Sequence, residues 1–205
     1  ALIDEHLIGL GVNLKVPPVE LLSPNFAKQV DRNKSKKSKA SEMEHAIRKH
    51  TKVNFEDDPT LYGRLSEKLD KLIQKHKEDW DALLKGMEGI ISEAEAGRKD
   101  DEIEGINKTE APFYDLAKKI AFADQDVPAE TIEALKNFTV DLIELFQKTI
   151  AIIDFWKGGT HVGDLSGELS DLVICSGIDE LIEHEEKVVS ELINLARRRH
   201  EDLLK

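Results

Sequence analysis

Residues 58 to 97 read DPTLYGRLSEKLDKLIQKHKEDWDALLKGMEGIISEAEAG, and this stretch decides the predicted fold. Its apolar positions recur at alternating steps of four and three, the spacing of a heptad seam along one helix. The seam consists of Leu65, Leu69, Ile73, His76, Trp80, Leu83, Met87, Ile90 and Ala94, with His76 and Ala94 as weak members. Asp58 suits an N-cap, Pro59 the first helical position and Gly97 the left-handed residue after a helix. Because no proline interrupts the interior, we predict one continuous helix over residues 59–96, about 57 Å long at ~1.5 Å per residue.

A helix of this length needs other helices to cover its seam. We therefore predict an all-α fold, an elongated helical bundle built around the 59–96 helix with two further long helices over residues 128–153 and 178–205. The stripe of the first consists of Ile132, Leu135, Phe138, Leu142, Leu145, Phe146, Thr149 and Ile153, and that of the second of Leu181, Val188, Leu192 and Ala196. The broad stripe of the 128–153 helix makes it the natural partner of the 59–96 helix.

Shorter helices are expected around these three. The pattern predicts them over residues 19–30, 112–122 and 165–176, and within residues 1–16, where Gly9 and Gly11 break the helix before Pro17-Pro18 changes the chain direction. Another helix is predicted from Ser38 or Ser41 to Val53, because Ser41 and Glu44 have the spacing of a capping box. Its expected core face consists of Ala40, Met43, Ala46, Ile47, His50 and Val53. As domains we predict an N-terminal extension over residues 1–34 and a helical domain over residues 35–205, with a charged, mobile loop at 98–108.

Composition narrows the class of protein. The chain has 205 residues with 40% hydrophobic content and few aromatic residues, which suits a helical bundle. Its formal charge of −12 excludes a nucleic-acid surface over most of the molecule. The single cysteine, Cys175, excludes an intramolecular disulfide and, inside an apolar run, is predicted to lie in the core of a cytoplasmic protein. We find no signal peptide and no apolar run long enough for a bilayer, and the absence of an initial Met suggests a fragment of a longer chain.

One local run departs from the acidic average. It consists of Arg32, Lys34, Lys36, Lys37 and Lys39, with serines between them. Such a run is typical of a solvated linker or helix start. Five cations this close together are also able to contact a DNA phosphate backbone, so both interpretations stay open.

Two groups near the C-terminal end are candidates for a partner contact. Phe155 and Trp156 interrupt the helical pattern and are interpreted either as caps of the core or as a docking patch. Arg197, Arg198 and Arg199 lie in the last turns of a predicted helix. There they either complement the helix dipole or contact a partner.

Catalytic signatures are missing from the sequence pattern. Glu42 and His45 form one E-x-x-H pair, whereas a di-metal helical bundle needs two such pairs on facing helices, and Glu180 and His184 are spaced by one residue too many. His45 and His50 are five apart and point in different directions on a helix. We therefore predict no catalytic, cofactor-binding or metal-binding residue. The alternative is a self-contained helical bundle, either a homo-oligomeric scaffold or a carboxylate/His metal enzyme.

Several stretches together resemble a known family. They are SKASEMEHAIRKH at 38–50, VNFEDDP at 53–59, LY at 61–62 and LSEKL at 65–69, preceded by GV at 11–12 and PPVELLS at 17–23 and followed by Trp80, GR at 97–98, PFYD at 112–115 and DFW at 154–156. This pattern resembles the C-terminal helical region of type I restriction enzyme R subunits. The likeness spans residues 11–157 and is densest from 38 to 80.

The resemblance implies a non-catalytic part of a large ATP-dependent enzyme. In that family a nuclease and two helicase-like motor domains precede the C-terminal helical region, so residues 1–34 are expected to form the junction with the motor. The subunit assembles with modification and specificity subunits, and the whole enzyme translocates and cuts DNA. The resemblance thus implies these subunits, the upstream domains and DNA as partners. ATP and Mg²⁺ are expected for the parent enzyme and no cofactor for residues 1–205.

Overall fold

The computed structural model describes residues 20–33, 35–77, 79–98, 102–123 and 125–205. Within these ranges the regular elements are helices, and the only β-type pairing is an isolated antiparallel bridge between Ile103 and Ile106. The all-α prediction is confirmed for this part of the chain. The helix predicted within residues 1–16 and the Pro17-Pro18 turn lie outside the described residues.

The chain divides at Gly97 into two compact units. The predicted helical domain over residues 35–205 and the predicted role of residues 1–34 as a junction stay predictions. In the described part of the chain, none of the helices is both long and apolar enough to cross a lipid bilayer.

Four helices lie in the described residues of the first unit. They are α1 (Phe26–Asp31), α2 (Lys36–Asn54), α3 (Pro59–Lys75) and α4 (Trp80–Ala96). The helices α2, α3 and α4 pack on one another, and α1 packs on α2. The core that they share consists of Leu21, Phe26, Val30, Ala40, Met43, Ala46, Ile47, Leu61, Leu65, Leu69, Leu83, Met87, Ile90 and Ala94.

The predicted continuous helix over 59–96 is wrong. The α3 helix ends at Lys75, where His76 leaves the helical conformation, and α4 begins at Trp80. Asp79 is a second N-cap, since its Oδ1 accepts the Ala82 amide at 3.1 Å. Two helices that pack on each other and on α2 bury both halves of the seam within one unit, whereas one rod exposes its seam until a partner covers it.

The two ends of the predicted rod are confirmed. Asp58 Oδ1 accepts the Leu61 amide at 3.0 Å and Pro59 occupies the first helical position of α3. Gly97 ends α4 with a φ of +62°, a conformation that glycine adopts at little cost.

Two other helices of this unit begin elsewhere than predicted. The α2 helix starts at Lys36, because Ser35 is its N-cap and accepts the Ser38 amide at 3.1 Å, so the predicted capping box from Ser41 lies inside the helix. Val53 was predicted in the core but is 69% exposed. The helix predicted over 19–30 is shorter, since α1 begins only at Phe26. Its docking on the bundle is confirmed by the burial of Phe26 and Val30.

In the second unit, residues 98, 102–123 and 125–205 are described and form six α-helices and one 3₁₀ turn. They are α5 (Ala111–Phe122), α6 (Ala129–Thr149), the 3₁₀ turn Phe155–Lys157, α7 (Gly159–Cys175), α8 (Asp179–Glu183), α9 (Glu185–Arg198) and α10 (His200–Leu203). The helix predicted over 112–122 is confirmed. The helix predicted over 128–153 ends at Thr149, and the one predicted over 178–205 is broken into three at His184 and Arg199.

The α6 helix packs on α5, α7 and α10 within the second unit. Its predicted pairing with the 59–96 helix stays a prediction. Its stripe is buried at Leu135, Phe138, Leu142 and Phe146, but Ile153 lies beyond the end of the helix and is 91% exposed. The stripe predicted for the C-terminal helix is confirmed, because Leu181, Val188, Leu192 and Ala196 are all buried.

Cys175 is exposed, so its predicted place in the core is wrong. The α7 helix buries Leu165, Leu169 and Val173, which follow one another at four-residue spacing. Cys175 comes two positions after Val173 and therefore projects about 200° around the helix from it, away from the core.

The start of the second unit is tied to its core. Arg98, whose side chain is 7% exposed, pairs with Asp115 of α5 at 2.6 Å. Ile106 is buried in the hydrophobic core of the unit. Part of the segment 98–108, predicted as a mobile loop, is therefore anchored, and residues 99–101 lie outside the described residues.

Candidate docking surfaces

The basic run lies at the start of α2, and part of its charge is neutralised. Lys36 pairs with Asp81 of α4 at 2.5 Å, and Lys39 pairs with Asp31 of α1 at 2.8 Å. Arg32 and Lys37 are exposed and have no ion pair within the part of the chain that the structure describes. Lys34 lies outside the described residues. The positive charge left for a DNA backbone is therefore smaller than the sequence alone indicates.

In the E-x-x-H pair of α2, formed by Glu42 and His45, the glutamate bonds to neighbouring segments of the first unit. Glu42 accepts hydrogen bonds on both carboxylate oxygens, from Gln29 Nε2 at 2.9 Å and from Asn33 Nδ2. These bonds hold α1 against α2. His45 is exposed. Among the described residues, no three His, Cys, Asp or Glu side chains are grouped so that they would hold a metal ion.

The two residues of the predicted docking patch differ in burial. Phe155 is 1% exposed and belongs to the core, where its ring stacks on His161 with centroids 5.9 Å apart. Trp156 is half-buried, and its ring meets that of Phe155 edge to face at 4.9 Å. Its indole Nε1–H donates to Nδ1 of His200 at 3.1 Å, across 44 positions of sequence.

Arg197 joins the same cluster. The Cζ atom of Arg197 lies 5.3 Å from the centroid of the Trp156 ring, a cation–π contact. We call Trp156, Arg197 and His200 the Trp156 surface. It unites one residue of each of the two candidate groups predicted from the sequence.

The other two arginines are placed differently. Arg198 is exposed in the last turn of α9. Arg199 ends that helix, and its side chain, 17% exposed, pairs with Asp202 at 3.2 Å. Asp202 also pairs with Lys205 at 2.8 Å, and these contacts lower the pKa of the Asp202 carboxyl. Arg199 therefore stabilises the turn between α9 and α10.

The first unit also has a groove that the sequence pattern does not predict. The groove has a volume of about 600 Å³ and its wall includes Val53, Phe55 and Tyr62 with the cations Arg48 and Lys52. Val53 and Phe55 are both exposed. Two apolar residues at the C-terminal end of α2, Val53 and Phe55, mark this groove in the sequence. The helical pattern predicts Val53 in the core, so the groove could not be recognised from it.

His50 lies beside this groove. Its ring meets the Tyr62 ring edge to face at 5.6 Å, and its Nε2 atom is buried without a hydrogen-bond partner in the described structure. Burial lowers the pKa of His50, and the nearby charge of Glu20 acts in the opposite direction. A neutral imidazole is therefore favoured in the folded chain.

Comparison with known proteins decides the family. A family model described as "Type I restriction enzyme HindI endonuclease subunit-like, C-terminal" matches residues 10–158. The chain belongs to this family. No curated protein and no solved structure matches it.

The family match agrees with the resemblance found over residues 11–157. In this restriction-subunit domain, the match includes the described part of the first unit and the second unit as far as Gly158. The helices α7 to α10 follow the matched region. Trp156 of the Trp156 surface is thus inside the match, whereas Arg197 and His200 lie outside it.

Proposed function

We propose that this chain is a non-catalytic helical part of a type I restriction enzyme R subunit that holds the motor and nuclease to the modification and specificity subunits in the cytoplasm. The observation that carries the proposal is the family match over residues 10–158. It assigns the chain to the C-terminal part of an endonuclease subunit, and assembly is the function that the resemblance implies for that part.

Side chains at the surface of both units, exposed or half-buried, support a role in binding. Each unit has its own buried core, yet apolar and aromatic groups stay at the surface next to cations. In the first unit these are Val53 and Phe55 beside Lys52, and in the second Trp156 beside Arg197. Aromatic residues and arginine are enriched in protein–protein interfaces.

The chemistry of the parent enzyme is assigned to other domains. ATP-driven translocation with Mg²⁺ and DNA cleavage belong, in this proposal, to the motor and nuclease upstream in the same polypeptide. The residues that perform nuclease or ATPase chemistry in the family have no match among these 205 positions.

A binding experiment with purified subunits tests the proposal. The 205-residue chain is immobilised and presented with the modification–specificity complex of its own restriction system, and in parallel with the complex of an unrelated system. We expect saturable binding of the first complex and none of the second. Failure of the cognate complex to bind at low salt would contradict the assembly role.

Activity assays test the non-catalytic part of the proposal. The chain with Mg²⁺, ATP and unmethylated DNA is expected to produce neither phosphate nor cleaved DNA. ATP- and Mg²⁺-dependent cutting by the pure chain would contradict it.

A further inference from the structure

The Trp156 surface includes one exposed cationic side chain, that of Arg197. Arg197 is exposed, and its guanidinium lies over the Trp156 ring at 5.3 Å from the ring centroid. In the part of the chain that the structure describes, no carboxylate forms an ion pair with Arg197. Its positive charge is therefore available for a contact outside the chain.

Two contacts fix the position of the Trp156 side chain. Its indole N–H is bonded to His200, and its ring packs edge to face on the buried Phe155. Because the ring is held, the guanidinium over it has fewer conformations to lose when a partner binds. A stacked guanidinium still presents N–H groups at its edge, where they match the two oxygens of a carboxylate.

The neighbouring charges favour a protein partner over DNA. Lys157 pairs with Asp154 at 2.7 Å, and Arg199 and Lys205 share Asp202. A duplex, which carries a charge about every 1.7 Å of its axis, would meet these carboxylates as well as the cations. A single carboxylate on a protein surface is able to approach Arg197 without that repulsion.

We propose that the Trp156 surface docks onto an acidic surface of the modification–specificity complex, with Arg197 as the residue that pairs with a partner carboxylate. This inference rests on the proposed assembly function and names the part of the chain that carries it. It places the contact at the end of α9, beyond the region matched by the family model.

Substitutions at Arg197 test the inference in the full 205-residue chain. Arg197→Ala is expected to weaken binding of the cognate modification–specificity complex about 10-fold or more, because a partner carboxylate loses its counter-charge. Arg197→Lys keeps the charge but not the planar fork, and is expected to weaken binding by a smaller factor. The matched control is Lys187→Ala, which removes an exposed cation ten positions earlier on the same helix, about 15 Å away along its axis.

The outcomes separate this inference from the proposed function. If the parent chain binds the complex and Arg197→Ala binds it equally well, the Trp156 surface is not the docking surface, and the assembly function stands. If the parent chain does not bind the complex, both proposals fail. If the parent chain binds a plain DNA duplex and Arg197→Ala loses that binding while its affinity for the complex is unchanged, the partner is DNA and the inference is overturned. Thermal melting of each variant verifies that the fold is intact.

Discussion

The side chain of Leu72 in α3 lies directly over Gly86 in α4. The Cδ2 atom of Leu72 is 2.7 Å from the position that a Cβ atom on Gly86 would take. This close approach is possible because glycine has no side chain, and it holds the two helices together where the sequence predicts one continuous rod. Gly89, one turn further along α4, has open space at its Cβ position.

Alanine at these two glycines is expected to have different effects. Gly86→Ala forces the half-buried Leu72 side chain to move, and this cost offsets the gain in helix propensity, so the free energy of unfolding should change by less than about 0.5 kcal/mol. Gly89→Ala meets nothing and should stabilise it by ~0.5–1 kcal/mol. Urea denaturation of both variants measures the difference, and equal stabilisation by the two would mean that α3 and α4 do not pack in this way.

Leu83 is a buried member of the predicted seam that stays buried in α4. Leu83→Ala should lower the free energy of unfolding by ~2–5 kcal/mol through lost burial and a residual cavity. The control is Val53→Ala in the same unit, where an exposed side chain is trimmed and a change of less than about 0.5 kcal/mol is expected. A loss below ~1 kcal/mol for Leu83→Ala would show that the core is not packed around it.

Cys175 provides a direct test of the orientation of α7. Because the thiol is exposed, we expect one equivalent of thiol per native chain to react with an aromatic disulfide reagent, at a rate close to that in denaturant. Cys175→Ser should show no reaction. Strong protection of the native thiol would favour the core position predicted from the sequence.

His50 should make the stability of the first unit depend on pH. Its pKa in the folded chain lies below the ordinary value of 6.5, so the unfolded chain takes up the proton first as the pH falls. The contribution of the neutral His50 ring to the free energy of unfolding is thus complete above about pH 6.5. It is lost as the pH falls from there toward the pKa of His50 in the folded chain.

The matched variant is His50→Gln, which keeps a polar side chain without this titration. Between about pH 7.5 and about pH 5.5, the parent chain should lose more of its unfolding free energy than His50→Gln does, as measured by urea denaturation. Parallel losses in the two proteins would show that the His50 ring does not prefer the neutral form.

The basic run provides a test for DNA contact. If Arg32 to Lys39 touch a phosphate backbone, the chain should bind duplex DNA weakly and without sequence preference, and replacing Lys34, Lys36, Lys37 and Lys39 by alanine should abolish binding and flatten its salt dependence. The ion pairs refine this test. Arg32→Ala with Lys37→Ala should weaken binding more than Lys36→Ala with Lys39→Ala, since the latter two cations already have carboxylate partners. No binding by the parent chain at low salt would leave the run as a solvated helix start.

The sequence by itself determined the helical class and a few helix ends. Asp58, Pro59 and Gly97 act through their own backbone and the adjacent turn, so their effect is readable without the rest of the fold. The stripe over Leu181 to Ala196 is likewise local, because residues three and four apart share one face of a helix. The family resemblance could also be read from the residues.

Only the tertiary structure decided where helices break and which surfaces stay open. The seam keeps its heptad spacing through His76, so the sequence pattern does not mark the turn that packing of α3 on α4 produces. Val53 and Cys175 are apolar in character, but neighbouring helices determine which apolar side chains are covered, and these two are not. The Trp156 surface also depends on packing, because His200 and Arg197 reach Trp156 only after α9 and the 3₁₀ turn have packed on α7. Contacts between residues so distant in sequence depend on the energy of the whole core, which no local pattern contains.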